Sequence, residues 1–263
     1  MKKSLLITLL MLFSLVCYGQ NGGPLKFLGI PIDGTKAQFV AKLKTKGFTY
    51  SSVSEGYKGQ FNGKNVDVYI HTNHNLVDRV YVAFPYTNEF NIKTEYNRLL
   101  GQFKDNDKYM DLVMNEEISK DDDISYEMTV NNKRYQASFS YFDSARDPIA
   151  FMNALIDQFS EFFSEEQLVK LKKYIVKALD SPEDKRDSLQ TEMMEEIQKM
   201  GFGYDENAEL DSEKAFTFLA TLLDGMSSLA DGNVWFMIHE LYGRYQIGLY
   251  YDNLHNQAHG EDL

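Results

Sequence analysis

Asn233-Val-Trp-Phe-Met-Ile-His-Glu-Leu-Tyr-Gly-Arg-Tyr-Gln-Ile-Gly-Leu-Tyr-Tyr-Asp-Asn253 carries two apolar, aromatic-rich runs on either side of Leu241-Tyr242-Gly243. A short glycine-containing gap between two such runs predicts a β-hairpin. Side chains alternate along a strand, so Val234, Phe236 and Ile238 share one face of the first run and Ile247, Leu249 and Tyr251 one face of the second. A helical pattern occupies residues 142–231, and the other strand-like runs lie further upstream. The hairpin is therefore expected to return to a sheet that the first half of the chain begins.

The helical stretch before the hairpin has its own start signals. Asp147-Pro148 opens a helix with Phe151, Leu155, Phe159 and Phe162; Ser164 with Gln167 forms a capping box for a helix holding Val169, Tyr174 and Ile175. Ser181-Pro182 opens a third that ends at Gly201, and Ser212 caps a fourth with Phe216, Leu219, Leu222, Leu223 and Met226. In the first half, Leu25 to Ile32 is an extended lead-in, and Thr35 with Gln38 caps a helix carrying Phe39, Val40 and Leu43 that stops at Gly47. Strand patterns follow at Gly56–Phe61, at Val66, Val68 and Ile70 (alternating with Asp67 and Tyr69), and at Val80, Val82 and Phe84. Asn62-Gly63 is a hairpin dipeptide. A helix from Asn88 to Phe103 turns Ile92, Tyr96, Leu99, Leu100 and Phe103 inward, and strands are expected at Ile124–Val130 and Arg134–Tyr141. The fold class expected is α+β: an antiparallel sheet of about six strands with helices on one face, plus an all-helical insertion. The implied division is a leader at 1–19, a discontinuous α+β domain of 20–142 with 232–263, and an insertion at 143–231.

The leader is read from Lys2 and Lys3, the apolar run Leu5 to Val16, and Cys17-Tyr18-Gly19, with small residues placed for a cut before Gln20. The run is too short to span a bilayer, and no later segment is long and apolar enough to do so. The expectation is export to the periplasm or cell surface, with lipid anchoring at Cys17 as the alternative fate of the same leader. Cleavage at Gly19 leaves no cysteine, so stability must come from the apolar core. Losing Lys2 and Lys3 also makes the formal net charge of −12 two units more negative. Such an acidic surface repels nucleic acid phosphates and excludes that partner class.

Phe27-Leu28-Gly29-Ile30-Pro31-Ile32-Asp33-Gly34, Lys46-Gly47-Phe48, Ile124-Ser125-Tyr126-Glu127-Met128-Thr129-Val130, and Gly243-Arg244-Tyr245-Gln246 through Tyr251-Asp252-Asn253 to Gly260-Glu261-Asp262-Leu263 resemble phrases of a group of secreted proteins of Bacteroides-type gut bacteria. The resemblance implies export and covers most of the chain outside residues 142–231. The group has no established activity to carry over, so it assigns no functional residue. The helix-then-meander layout is also similar to that of small outer-membrane assembly lipoproteins and β-lactamase inhibitory proteins, which bears on layout alone.

Catalytic motifs are not found. No thiol survives maturation, and there is no Gly-x-Ser-x-Gly elbow. His239-Glu240 begins like a zinc-protease helix, but Gly243 stands where the second histidine must lie. Asp105-Asn106-Asp107 with Asp111 and Glu116 hints at a calcium loop, yet Met110 occupies the position that needs glycine. No cofactor motif is present, and none is expected. His255 and His259 stand four apart, so a helical tail would bring both imidazoles to one face for zinc or copper. Trp235, Tyr245, Tyr250 and Tyr251, with Asp252 and Asn253, concentrate aromatic and polar groups in the hairpin. An exposed aromatic row there suits a protein, peptide or glycan partner. The functional expectation is an exported, non-catalytic binding or interaction module of the cell envelope. The alternatives are a periplasmic hydrolase using a carboxylate pair, which leaves no local motif, and a weak metal carrier using the C-terminal histidines.

Overall fold

A computed structural model of the protein describes residues 23–143, 147–179 and 212–257. The described chain divides into two compact units, one within Ser144–Leu229 and one formed by Gly23–Asp143 with Ala230–Leu263.

The second unit opens with a two-stranded ribbon, β1 (Lys26–Phe27) and β2 (Ile30–Pro31), where the sequence predicts an extended lead-in. Helix α1 (Lys36–Thr45) follows, with the reciprocal Thr35–Gln38 capping box in place and Phe39 and Leu43 buried. Strands β3 (Thr49–Ser51), β4 (Gly56–Phe61), β5 (Lys64–Asn73) and β6 (Leu76–Ala83) form an antiparallel meander. Helix α2 (Glu89–Lys104) buries Ile92, Tyr96, Leu99, Leu100 and Phe103, the five positions its periodicity singles out. After β7 (Tyr109–Met110) and a short helix α3 (Ile124–Thr129) comes β8 (Gln136–Tyr141). The hairpin β9 (Gly232–Leu241) and β10 (Arg244–Asn253) completes the sheet.

The sheet has eight strands, in the order β3-β4-β5-β6-β10-β9-β8-β7 and antiparallel throughout, rather than about six. The difference lies at its edges: β3 spans three residues and β7 two, too few for an alternating pattern to register. Ile124–Val130 also departs from expectation, being helical and not extended. Its alternation of apolar and polar residues mimics a strand, but the Asp123 carboxylate accepts the Tyr126 N–H at 2.9 Å and caps a helix. No place beside β8 is left for it either. The Asn115 side chain takes both the N–H and the C=O of Ser138, at 2.9 and 2.8 Å, as a neighbouring strand would.

The terminal hairpin sits in the middle of the sheet. β10 pairs with β6 and β9 with β8, so the last strands of the chain join two blocks that precede them by about a hundred residues or more of sequence. Both strands turn their apolar face toward the side that α1 and α2 cover, and Val66, Val80, Leu249, Phe236 and Phe139 share one core with Leu43, Tyr96 and Phe103. The Tyr96 ring meets Phe236 edge-on at 5.0 Å.

In the helical unit, α4 (Pro148–Asp157), α5 (Glu165–Leu179) and α6 (Ser212–Ser228) are described. Asp147 caps α4, and Ser164 and Gln167 cap α5 reciprocally. Phe151, Leu155, Phe159, Leu222 and Met226 are buried, whereas Val169 is 60 % exposed. The helix expected at Ser181–Gly201 lies outside the described residues. Among those described, no helix is long and apolar enough to cross a membrane.

Candidate binding face

The strand period that sends Val234, Phe236 and Ile238 to the core sends Asn233, Trp235, Met237 and His239 to the opposite face. The same rule places Asp252, Tyr250, Gly248 and Gln246 of β10 outward, with Arg79, Tyr81 and Ala83 of β6 and Asp67, Tyr69 and His71 of β5. Register then aligns these residues in rows across the strands. In the central row Tyr69 stands opposite Tyr81, Tyr81 opposite Tyr250, Tyr250 opposite Trp235, and Trp235 opposite Ser138.

The four rings of this row stack on one another. Centroid separations are 5.5 Å for Tyr69–Tyr81, 4.7 Å for Tyr81–Tyr250 and 3.9 Å for Tyr250–Trp235, with interplanar angles of 21°, 17° and 8°. Each ring remains partly exposed. Small residues make room for them. A methyl group at Gly56 would come within 2.9 Å of the Tyr69 ring, and one at Gly248 within 2.9 Å of the Tyr81 ring and 2.7 Å of His239 Nε2.

A polar row flanks the aromatic one, with His71 opposite Arg79, Arg79 opposite Asp252, and Asp252 opposite Asn233. The Asp252 carboxylate is 4 % exposed and accepts three hydrogen bonds: Arg79 Nε at 2.5 Å, Arg79 Nη2 at 2.8 Å and Trp235 Nε1 at 2.9 Å. Arg79 thereby lies 5.8 Å from the Trp235 centroid and 5.7 Å from that of Tyr250, in cation–π range of both. Its hydrogen bonds to Asp252 hold the guanidinium pKa above its ordinary value. A β-bulge between His71 and Thr72 leaves Asp78 without a cross-strand partner, and its buried carboxylate takes His71 Nδ1 at 2.7 Å. On the other side of the row, His239 Nε2 lies 3.3 Å from the Tyr250 hydroxyl. Burial lowers the His239 pKa. Burial raises the pKa of Tyr69, Tyr81 and Tyr250, so their hydroxyls stay protonated in neutral solution.

Of the residues that sequence singles out, Trp235, Tyr250 and Asp252 come together here. Tyr245 and Tyr251 do not: they are 3 % and 5 % exposed and belong to the core face, one residue out of phase with the row. Asn253 is likewise buried, donating to Ile32 O at 2.7 Å while its Oδ1 accepts the His255 N–H. His255 Nε2 meets Asp231 Oδ1 at 2.8 Å, in a 3₁₀ turn (Leu254–Asn256), and His259 lies outside the described residues. Among the described residues no three His, Cys, Asp or Glu side chains gather as a metal site. Sequence reasoning missed Tyr81, Arg79 and the stacking role of Tyr69. Their outward phase is legible from alternation on β5 and β6; their alignment with Trp235 depends on β10 pairing with β6.

Comparison with protein families, with curated proteins and with solved structures finds no match in any of the three.

Proposed function

We propose that the protein is an exported, non-catalytic binding module of the cell envelope, and that the sheet face opposite α1 and α2 is its platform for a protein partner. The observation that carries this reading is the row Tyr69–Tyr81–Tyr250–Trp235, four partly exposed rings stacked on one another across four adjacent strands. Rigid aromatic groups give large contact area at small entropic cost, which is why Tyr and Trp dominate binding hot spots. Export rests on the leader-like start of the chain and on its resemblance to secreted proteins.

Two features favour a protein surface over a glycan. The inner rings spend their faces on one another, so they present edges outward, whereas a sugar ring stacks on an open face. The strongest polar groups are also paired internally: Asp252 with Arg79 and Trp235, and Asp78 with His71. These paired groups have little donor or acceptor capacity left to read sugar hydroxyls. The non-catalytic reading draws support from the buried carboxylates, since Asp78, Asp231 and Asp252 are each engaged by a separate histidine or arginine.

Native mass spectrometry of the chain isolated from its own host tests the proposal. A protein should co-isolate with the wild type and be lost from a Trp235→Ala, Tyr250→Ala double variant whose circular dichroism is unchanged. Retention of the partner by that variant, or a glycan as the adduct, overturns the reading.

A further inference from the structure

His239 lies beside the aromatic row, within hydrogen-bonding reach of one of its hydroxyls. The Tyr250 hydroxyl lies 3.3 Å from His239 Nε2, and the Tyr250 ring stacks on Tyr81 at 4.7 Å and on Trp235 at 3.9 Å. For Nε2 to accept the Tyr250 O–H, the imidazole must be neutral with its proton on Nδ1. The lone pair on Nε2 then supports the Tyr250 hydroxyl, and through it the ring that stacks between Tyr81 and Trp235. The ring occupies space left by Gly248, where even a methyl group would come within 2.7 Å of it.

The groups that face His239 from its neighbours offer no countercharge. Gln246 stands opposite it on β10 and spends its amide on Phe84 O at 2.5 Å. Tyr250 and Tyr81 approach from β10 and β6. On the β8 side the contact continues past the Gln136–Met237 pair as far as Ile238, whose N–H donates to Tyr135 O at 3.0 Å, and the next residue there, Arg134, is a cation. On its own strand Glu240 accepts the Gly243 N–H at 2.6 Å. A proton arriving on Nε2 would turn the acceptor into a second donor aimed at the Tyr250 hydroxyl.

We propose that His239 makes the aromatic face acid-sensitive: protonating its imidazole removes the acceptor beneath Tyr250, loosens the Tyr250–Trp235 stack and weakens the hold on a partner. The last step rests on the platform reading above; the first two concern this chain alone. The direction follows from burial, which favours the neutral ring. A histidine with a lowered folded pKa contributes stability that is present above its unfolded value, about 6.5, and is lost as pH falls below it.

Trp235 is the chain's single tryptophan, so its fluorescence reports this stack directly. The full chain is titrated from about pH 7.5 to about pH 5, across the usual histidine range. The wild type should show a reversible red shift, and His239→Gln should show none. The shift should survive in a His71→Asn, His255→Asn double variant, a control that holds even where His239→Gln fails to fold. A shift that persists in folded His239→Gln, disappears in the double variant, or never occurs in the wild type overturns the switch. The titration needs no partner, so its failure leaves the platform reading standing. Conversely, a partner indifferent to the Trp235→Ala, Tyr250→Ala substitution sinks the platform without touching the fluorescence result.

Discussion

Asp252 concentrates the energetics of the outer face in one side chain. Its carboxylate is out of water and is held by three donors, two of them from a cation. Asp252→Ala would leave Arg79 over the rings without its counterion and free the indole N–H. We expect a loss of about 2–3 kcal/mol, below the 3–5 of a fully buried pair because Arg79 keeps contact with water. Urea denaturation checks the value. Two glycines make an opposite pair. A methyl at Gly59 would sit 2.4 Å from the Phe48 ring in the core, while at Gly101, inside α2, it meets nothing within 4 Å. Gly59→Ala should therefore destabilise by about 1–3 kcal/mol or more through overpacking. Gly101→Ala should stabilise by about 0.5–1 kcal/mol by restricting the unfolded chain. Equal shifts in the two denaturation midpoints would contradict this account.

Turn chemistry shapes the strands. Four ribbons close through two-residue loops with both φ values positive: Leu28-Gly29, Asn62-Gly63, His74-Asn75 and Tyr242-Gly243. Loops of this primed kind match the right-handed twist of paired strands and favour Asn-Gly. Leu28 and Tyr242 fit this preference worst; Leu28, with φ of 50°, packs against the core, whereas Tyr242, with φ of 51°, has a side chain 94 % exposed. An aromatic residue bears the left-handed penalty there with no visible compensation in packing. Tyr242→Asn should thus raise stability by about 0.5–1 kcal/mol, read as a rise in melting temperature. A fall would mean that the exposed ring makes a contact this reading omits.

For the whole molecule, the core rests on aromatic packing, and buried phenols make it vulnerable to base. Burial pushes the hydroxyls of Tyr96 and Tyr109 up to about 12 and that of Tyr251 well above its usual value. A raised folded pKa means that the native state keeps protons the unfolded chain gives up. Stability should therefore hold below about pH 10 and fall between about 10 and 12, by up to about 2–3 kcal/mol for each of Tyr96 and Tyr109, with Tyr251 acting in the same direction. Ultraviolet titration should show the phenolate signal of these residues appearing together with loss of the far-ultraviolet dichroism. Ionisation of Tyr96, Tyr109 or Tyr251 preceding unfolding, read as the absorbance difference from the corresponding Tyr→Phe variant, would refute the coupling.

The local pieces are legible in the chain alone: the capping boxes, the five inward positions of α2, the turn dipeptide Asn62-Gly63 and the alternation of β9 and β10. These are set by interactions among residues a few positions apart, which leave periodic or paired signatures. Local pattern misreads Ile124–Val130, where an apolar–polar alternation coincides with a helix capped by Asp123. It also places Tyr245, Tyr251 and Asn253 among binding residues, because composition alone does not say which phase of a strand faces the helices. The place of the hairpin at the centre of the sheet, with β6 on one side and β8 on the other, follows from long-range pairing. That pairing aligns Tyr69 and Tyr81 with Tyr250 and Trp235, residues more than 150 positions apart. Register between distant strands is fixed by the shape of a shared core, and no local pattern encodes it.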